Sequence, residues 1–125
     1  MRLLLDTHIF LWAVAGSPLL KAAARRTIQS ADQVYVSAAS IWEVAIKAPL
    51  GKITADPDEL VAAIEASGFV ELPVRAAHAA GVARLAPHHH DPFDRLLVAQ
   101  AIAEPLKLLT ADATLARYSN IVMLV

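Results

Sequence analysis

Cysteine is absent from all 125 residues, so the chain has no disulfide framework and no thiolate metal site, and any metal must be held by oxygen or imidazole. No apolar run approaches the roughly 20 residues of a membrane span. This holds although 57% of the residues are hydrophobic and only 18% charged, because the alanines fall between charges and helix breakers. There is no charge excess either. A net charge of -1 excludes an overall basic coat for nucleic acid but leaves room for a local basic rim around an acidic site. Repeats, low-complexity stretches and linkers are missing as well. The opening Met1-Arg2-Leu3-Leu4-Leu5-Asp6 is too short and too soon acidic for a signal peptide, and a cytoplasmic location is the expectation. The length suits one soluble domain over residues 1–125 built on a single core.

What is present is organised around His90-Asp91-Pro92-Phe93-Asp94-Arg95-Leu96-Leu97-Val98-Ala99-Gln100, the start of a helix that is apolar nearly all round. Asp94 shares its face with Leu97, Val98 and Ala101, so its carboxylate is directed at packed structure as much as at water. A buried carboxylate without a cation or several donors goes neutral, and the helix itself places no such partner. Compensation must come from elsewhere in the chain.

Leu3 to Leu5 reads as a strand buried on both faces, with Asp6 at its carboxyl end. Thr7 to Ala15 reads as a helix closed by Gly16, and Ser17-Pro18 opens a second helix to about Ser30. Val34 to Val36 is a second strand, after which Ser37 caps a helix through about Lys47 whose one acid is Glu43. Asp56-Pro57 caps a helix ending before Gly68, and Phe69 to Leu72 is strand three. A helix carrying Val74, His78, Gly81, Val82 and Leu85 on one face stops at Pro87 and His88-His89-His90. Beyond the organising helix, halted at Pro105, come a strand from Lys107 to Thr110, a short helix opened by Asp112 through Arg117, and a strand from Ile121 to Val125. Strands alternating with helices predict a central parallel sheet of about five strands in a three-layer α/β/α domain. Ligands collect at the carboxyl ends of such strands, where Asp6 and Asp112 stand and where Glu43 and Asp94 can reach.

Each acid also has a plain structural reading. Asp91 before Pro92 repeats the grammar of Ser17-Pro18 and Asp56-Pro57, which makes it chiefly an N-cap; Asp112 can cap too, Asp6 can close a turn, and Glu43 can lie on a solvated face. Convergence of Asp6, Glu43, Asp94 and Asp112 on one sheet edge argues otherwise. Four close carboxylates repel unless divalent cations neutralise them, and hard oxygen ligands favour Mg²⁺ or Mn²⁺ over zinc. Such a centre activates water for attack on a phosphodiester, which is nuclease chemistry. Thr7, Ser37, Ser40 and Thr110 are hydroxyls beside these acids, placed to hold a carboxylate or to cap a helix.

Four segments, taken in order, carry a resemblance across the whole chain. They are Leu4-Leu5-Asp6-Thr7-His8; Val36 to Glu43 with Leu50-Gly51-Lys52-Ile53; His90 to Leu97; and Leu109-Thr110-Ala111-Asp112. Together they resemble the successive motifs of a PIN domain of the VapC toxin type. The resemblance implies Asp6, Glu43, Asp94 and Asp112 as the quartet that binds Mg²⁺ or Mn²⁺ for endoribonuclease activity on RNA. It also implies a cognate VapB-type antitoxin and a homodimer.

Other residues are weaker nominations. The triplet His88 to His90 reads as a solvated loop near the site entrance, with a transition-metal site as the alternative. His78 reads as a core histidine, Arg95 contacts RNA phosphate or pairs with an acid, and Trp12 and Trp42 belong to the core or a dimer interface. Two rival functions stand beside the nuclease. One is phosphotransfer through Asp6, disfavoured because His8 holds the place where haloacid-dehalogenase-like phosphatases carry a second acid. The other is a non-catalytic module binding RNA or protein, disfavoured by the intact acids.

Overall fold

The computed structural model describes residues 1–125. Five strands, β1 (Arg2–Leu5), β2 (Gln33–Ser37), β3 (Val70–Leu72), β4 (Lys107–Thr110) and β5 (Val122–Leu124), form one sheet in the order β3-β2-β1-β4-β5. Every neighbouring pair is parallel, and Leu4 at the centre lies between Tyr35 and Leu108. Six helices connect them: α1 (Thr7–Ala15), α2 (Ala22–Ser30), α3 (Ala38–Lys47), α4 (Pro57–Ala66), α5 (Ala76–Gly81) and α6 (Pro92–Ala103).

The strand side chains alternate between two cores, as the pleat requires. Leu3, Leu5, Val34, Val36 and Leu109 pack with Ile9, Phe10, Val44, Leu60 and Ile64 on one face. Leu4, Leu72 and Leu108 pack with Leu97, Val98 and Ala101 of α6 on the other. The expected three-layer architecture with a five-stranded parallel sheet is therefore present, and burial on both faces explains why the strands read as unbroken apolar runs. No helix is long and apolar enough to cross a membrane.

Three local expectations shift. The second helix begins at Ala22 rather than at Ser17-Pro18, because Ser17 closes a turn instead: its hydroxyl accepts the Leu19 amide at 3.1 Å and its carbonyl the Leu20 amide at 3.2 Å, which drives Leu20 into the core. The helix through His78 is shorter than its apolar spacing suggests, ending at Gly81 and passing into a 3₁₀ turn over Val82–Arg84. Val74 lies before it and is exposed. Asp112 does open a helical turn, accepting the Thr114 amide at 2.9 Å, but the turn is 3₁₀ and spans Leu115–Arg117.

The topology sets the site. From β1 the chain steps to β2 and β3 on one side and returns to β4 and β5 on the other, so the carboxyl ends of β1 and β4 flank the point where strand order reverses. Asp6 follows the first of these strands and Asp112 the second.

Candidate metal centre

Asp6 sits at the N-cap position of α1, yet its side chain makes no capping bond. Instead Oδ2 accepts the Thr110 hydroxyl at 2.5 Å, while Oδ1 is buried with no donor at all. Burial raises the Asp6 pKa above the ordinary carboxylate value, against the opposing pull of the Thr110 hydroxyl. Glu43 repeats the pattern from α3. Its Oε2 accepts from Lys47 Nζ at 2.5 Å, its Oε1 is buried and unpaired, and the residue is 2% exposed.

Asp94 lies in the first turn of α6, which begins where sequence grammar places it. Asp91 Oδ1 accepts the amides of Phe93 and Asp94 at 2.8 and 3.2 Å, and Pro92 follows the cap. This turn points Asp94 at the strand ends, where burial, followed by the charges of Asp6, Asp91, Glu43 and Asp112, pushes its pKa up to about 8. Asp91 is shifted the other way. Although burial alone would raise it, the Asp94 amide and Lys47 hold it below the ordinary range.

Asp112 closes the cluster from the end of β4. Its amide donates to Thr110 Oγ1 at 3.0 Å, so one threonine ties Asp6 and the Asp112 backbone together. His89 Nε2 lies 3.1 Å from Asp112 Oδ2 and 3.5 Å from Asp94 Oδ2. His89 Nδ1 accepts the Asp91 amide at 3.0 Å, which leaves the ring proton on Nε2, facing the carboxylates. Of the histidine triplet expected as a solvated loop, this one is part of the site. Three adjacent side chains point in different directions, and nothing in the sequence distinguishes which of them turns inward.

Lys47 is the compensating cation that the buried acids require. Its Nζ reaches Glu43 and, at 3.2 Å, Asp91 Oδ2. Partial burial pulls its pKa down, but hydrogen bonds to Glu43 and Asp91 outweigh it and the net shift is upward. No motif marks Lys47; its i, i+4 spacing from Glu43 is the signal that identifies it.

The hydroxyls divide their work. Thr7 donates to Ser40 at 2.8 Å, joining α1 to α3 beneath the acids, and Ser37 both caps α3 and donates to the buried Gln100 at 2.6 Å. Only Thr110 holds a carboxylate of the quartet. Arg95 pairs with no acid. Its guanidinium donates to the carbonyls of Ala86 and Val82 and to the Tyr118 hydroxyl, stapling the loop before α6 to the end of the chain. His78 is the core histidine expected, buried and 2.6 Å from Glu104. Trp42 is not core: it is 57% exposed, edge-on to Phe93 at 4.9 Å.

Asp6, Asp94 and Asp112 open into a cleft of about 210 Å³ whose wall includes His8 and Trp12. These two rings, with centroids 6.2 Å apart, also line a neighbouring groove of about 370 Å³ that reaches Lys52. His89, Asp94 and Asp112 bring one ligand atom each within 4.8 Å of one another, and near them the two buried carboxylate oxygens of Asp6 and Glu43 have no donor, an arrangement that suits a divalent cation. Leaving each unpaired costs about 1–3 kcal/mol or more.

The family model for the PIN domain matches residues 3–121. Among solved structures, VapBC2 from Rickettsia felis, bound to a promoter DNA fragment, superposes with a TM-score of 0.71 at 17% identity, covering 98% of each chain. A toxin-antitoxin complex from Klebsiella pneumoniae gives 0.66 at 17% identity, covering 96% of this chain and 94% of the other. FitAcB from Neisseria gonorrhoeae gives 0.64 at 18%, covering 98% and 96%. At these identities the likeness is one of fold. No curated protein matches the sequence.

Proposed function

The chain belongs to the PIN-domain family, and from that premise we propose that it is a metal-dependent endoribonuclease, the toxin of a VapBC-type toxin-antitoxin pair. One observation carries the reading: Asp6 Oδ1 and Glu43 Oε1 are buried without a donor, each on a carboxylate whose other oxygen is held by a protein group. Orphan oxygens of this kind are suited to ligating a cation. With no cysteine in the chain and the His89 Nε2 proton facing the acids, the donor set is oxygen alone, which selects Mg²⁺ or Mn²⁺.

A divalent ion in this centre supplies an activated water and offsets charge developing on the phosphodiester. The chain's own residues prepare the rest. Asp6 and Glu43 would present one oxygen each, Asp94, whose surroundings favour the protonated form, would join them on losing its proton to solvent, and Asp112 stands at the more exposed rim, its side chain 38% accessible. His8 and Trp12 offer ring faces to bases of a single strand leaving the cleft, and Lys52 offers its ammonium to a phosphate. The toxin role brings a VapB-type antitoxin into the same proposal, supported by the shared fold with VapBC2 and FitAcB, and with it the expectation of a homodimer and a cytoplasmic setting.

The rival readings fare worse. Phosphotransfer through Asp6 finds His8 where a second acid is needed, and one Asp6 oxygen is tied to Thr110. A degenerate binding module has no need to bury two unpaired carboxylate oxygens.

The test is Mg²⁺-dependent cleavage of total cellular RNA by the purified chain, with circular dichroism as the folding control. Asp94→Asn should abolish cleavage while the protein stays folded. Asp91→Asn keeps the cap, since asparagine caps as well as aspartate, and weakens only the contact with Lys47, so most cleavage should survive. Full activity in Asp94→Asn would refute the assignment.

A further inference from the structure

A cation already stands inside the acidic cluster. Lys47 Nζ bridges Glu43 Oε2 and Asp91 Oδ2 at 2.5 and 3.2 Å, with 22% of its side chain exposed and the Phe93 ring centroid 5.4 Å away. An ammonium shared by two carboxylates offsets negative charge that would otherwise call for a further cation. The remaining oxygens are divided unequally. Asp91 Oδ1 is committed to the α6 amides, Asp112 Oδ1 to the Thr114 amide, and Asp112 Oδ2 to His89. Left over are Asp6 Oδ1 and Glu43 Oε1, buried without a donor, and the Asp94 carboxylate, one of whose oxygens lies 3.5 Å from His89 Nε2. The oxygens that Lys47 and His89 hold are closed to a second ion while those contacts stand.

Resting on the metal-nuclease reading above, we propose that Lys47 is a built-in counter-cation, a positioning residue that holds Glu43 with one oxygen turned inward and limits the centre to a single divalent ion. Removing its charge frees Glu43 Oε2 and Asp91 Oδ2 together and leaves two more negative oxygens uncompensated. That is the composition of a two-ion site.

The probe is Mn²⁺, titrated into the full chain at neutral pH and followed by the electron paramagnetic resonance signal of the free ion. Wild type should bind about one Mn²⁺ per chain, and Lys47→Met, which keeps an unbranched stem without the charge, about two. Lys47→Arg restores a cation and should return the count toward one. A merely structural lysine would change the melting temperature without changing the count. Two equivalents bound by wild type, or an unchanged count in folded Lys47→Met, overturns the proposal alone. Absence of any Mn²⁺ binding by wild type removes the metal centre and the proposal with it. Where Lys47→Met does not fold, Lys47→Gln carries the same comparison, and a count unchanged from wild type overturns the proposal.

Discussion

Thr110 Oγ1 donates to Asp6 Oδ2 at 2.5 Å across neighbouring parallel strands, joining residues 104 positions apart at the reversal of strand order. The same hydroxyl oxygen accepts the Asp112 amide. Thr110→Val keeps the shape and removes both functions. Losing a ligand-orienting partner of this kind costs about 10–100-fold in metal affinity or activity, and the lost buried hydrogen bond about 1 kcal/mol. Thr110→Ser should recover most of the loss. Isothermal titration with Mn²⁺ beside a thermal melt reads both quantities; unchanged Mn²⁺ affinity in Thr110→Val would show that Asp6 needs no such support.

Asp94 makes stability depend on pH in an unusual direction. Burial first, then the four neighbouring carboxylates, push its pKa up to about 8 from 3.8. The folded state thus retains a proton that the unfolded chain gives up. The contribution is complete below the unfolded value and is lost as pH rises through about 8. In EDTA, the melting temperature should therefore fall by several degrees between about pH 5 and about pH 9, and Asp94→Asn should flatten the curve. Mg²⁺ should stabilise most at the alkaline end, where the ligand is already ionised. Thermal scans with EDTA or Mg²⁺ across this range test the sign: a melting temperature that rises with pH in EDTA would mean Asp94 is ionised throughout.

How far the sequence reveals these features follows from the range of the forces involved. Short apolar runs such as Leu3-Leu4-Leu5 and Leu108-Leu109 mark central strands because burial on both faces is a local property of composition. The Asp91-Pro92 cap is local too, and it marks the start of α6 to the residue. Ser17-Pro18 has the same grammar and makes a turn that carries Leu20 into the core, a contact that local sequence does not reveal. At the centre, the acids are legible as types in a pattern, whereas the pairings that orient them are not. His89 comes to Asp112 only once the loop between α5 and α6 is folded, a contact over 23 residues. Lys47 to Glu43 is local and was there to be read; its second partner, Asp91, is 44 residues away.

Arg95 separates two readings that spacing leaves open. Its guanidinium is committed to Ala86 O at 2.9 Å, Tyr118 Oη at 3.0 Å and Val82 O at 3.3 Å, with the Tyr118 ring beneath it at 5.9 Å. A group so occupied is unavailable to phosphate. Arg95→Gln should lower the melting temperature, by the equivalent of about 1–3 kcal/mol for the charged hydrogen bonds lost. Affinity for single-stranded RNA and its salt dependence should be nearly unchanged. Gel-shift titrations at two salt concentrations distinguish the cases, since a reduced salt slope in Arg95→Gln would restore the phosphate contact.

The exposed apolar residues bear on where the expected second copy would bind. Composition points to α1, but Phe10 there is fully buried, and of its large apolar residues only Val14 is exposed, at 38%. The larger surplus lies on α3, where Trp42 and Ile46 are one turn apart at 57% and 41% exposure and Leu50 just beyond the helix is at 65%. An aromatic ring flanked by aliphatic side chains suits the centre of a protein interface. The expected homodimer should therefore involve this stripe, and Ile46→Glu, which buries a charge in it, should weaken self-association at least about tenfold. Leu19→Glu, at another exposed apolar position, 64% accessible, is the control and should leave association intact. Sedimentation equilibrium at micromolar protein without any antitoxin makes the measurement. A wild-type monomer removes the homodimer, and a dimer insensitive to Ile46→Glu but broken by Leu19→Glu moves its interface from α3 to the turn before α2.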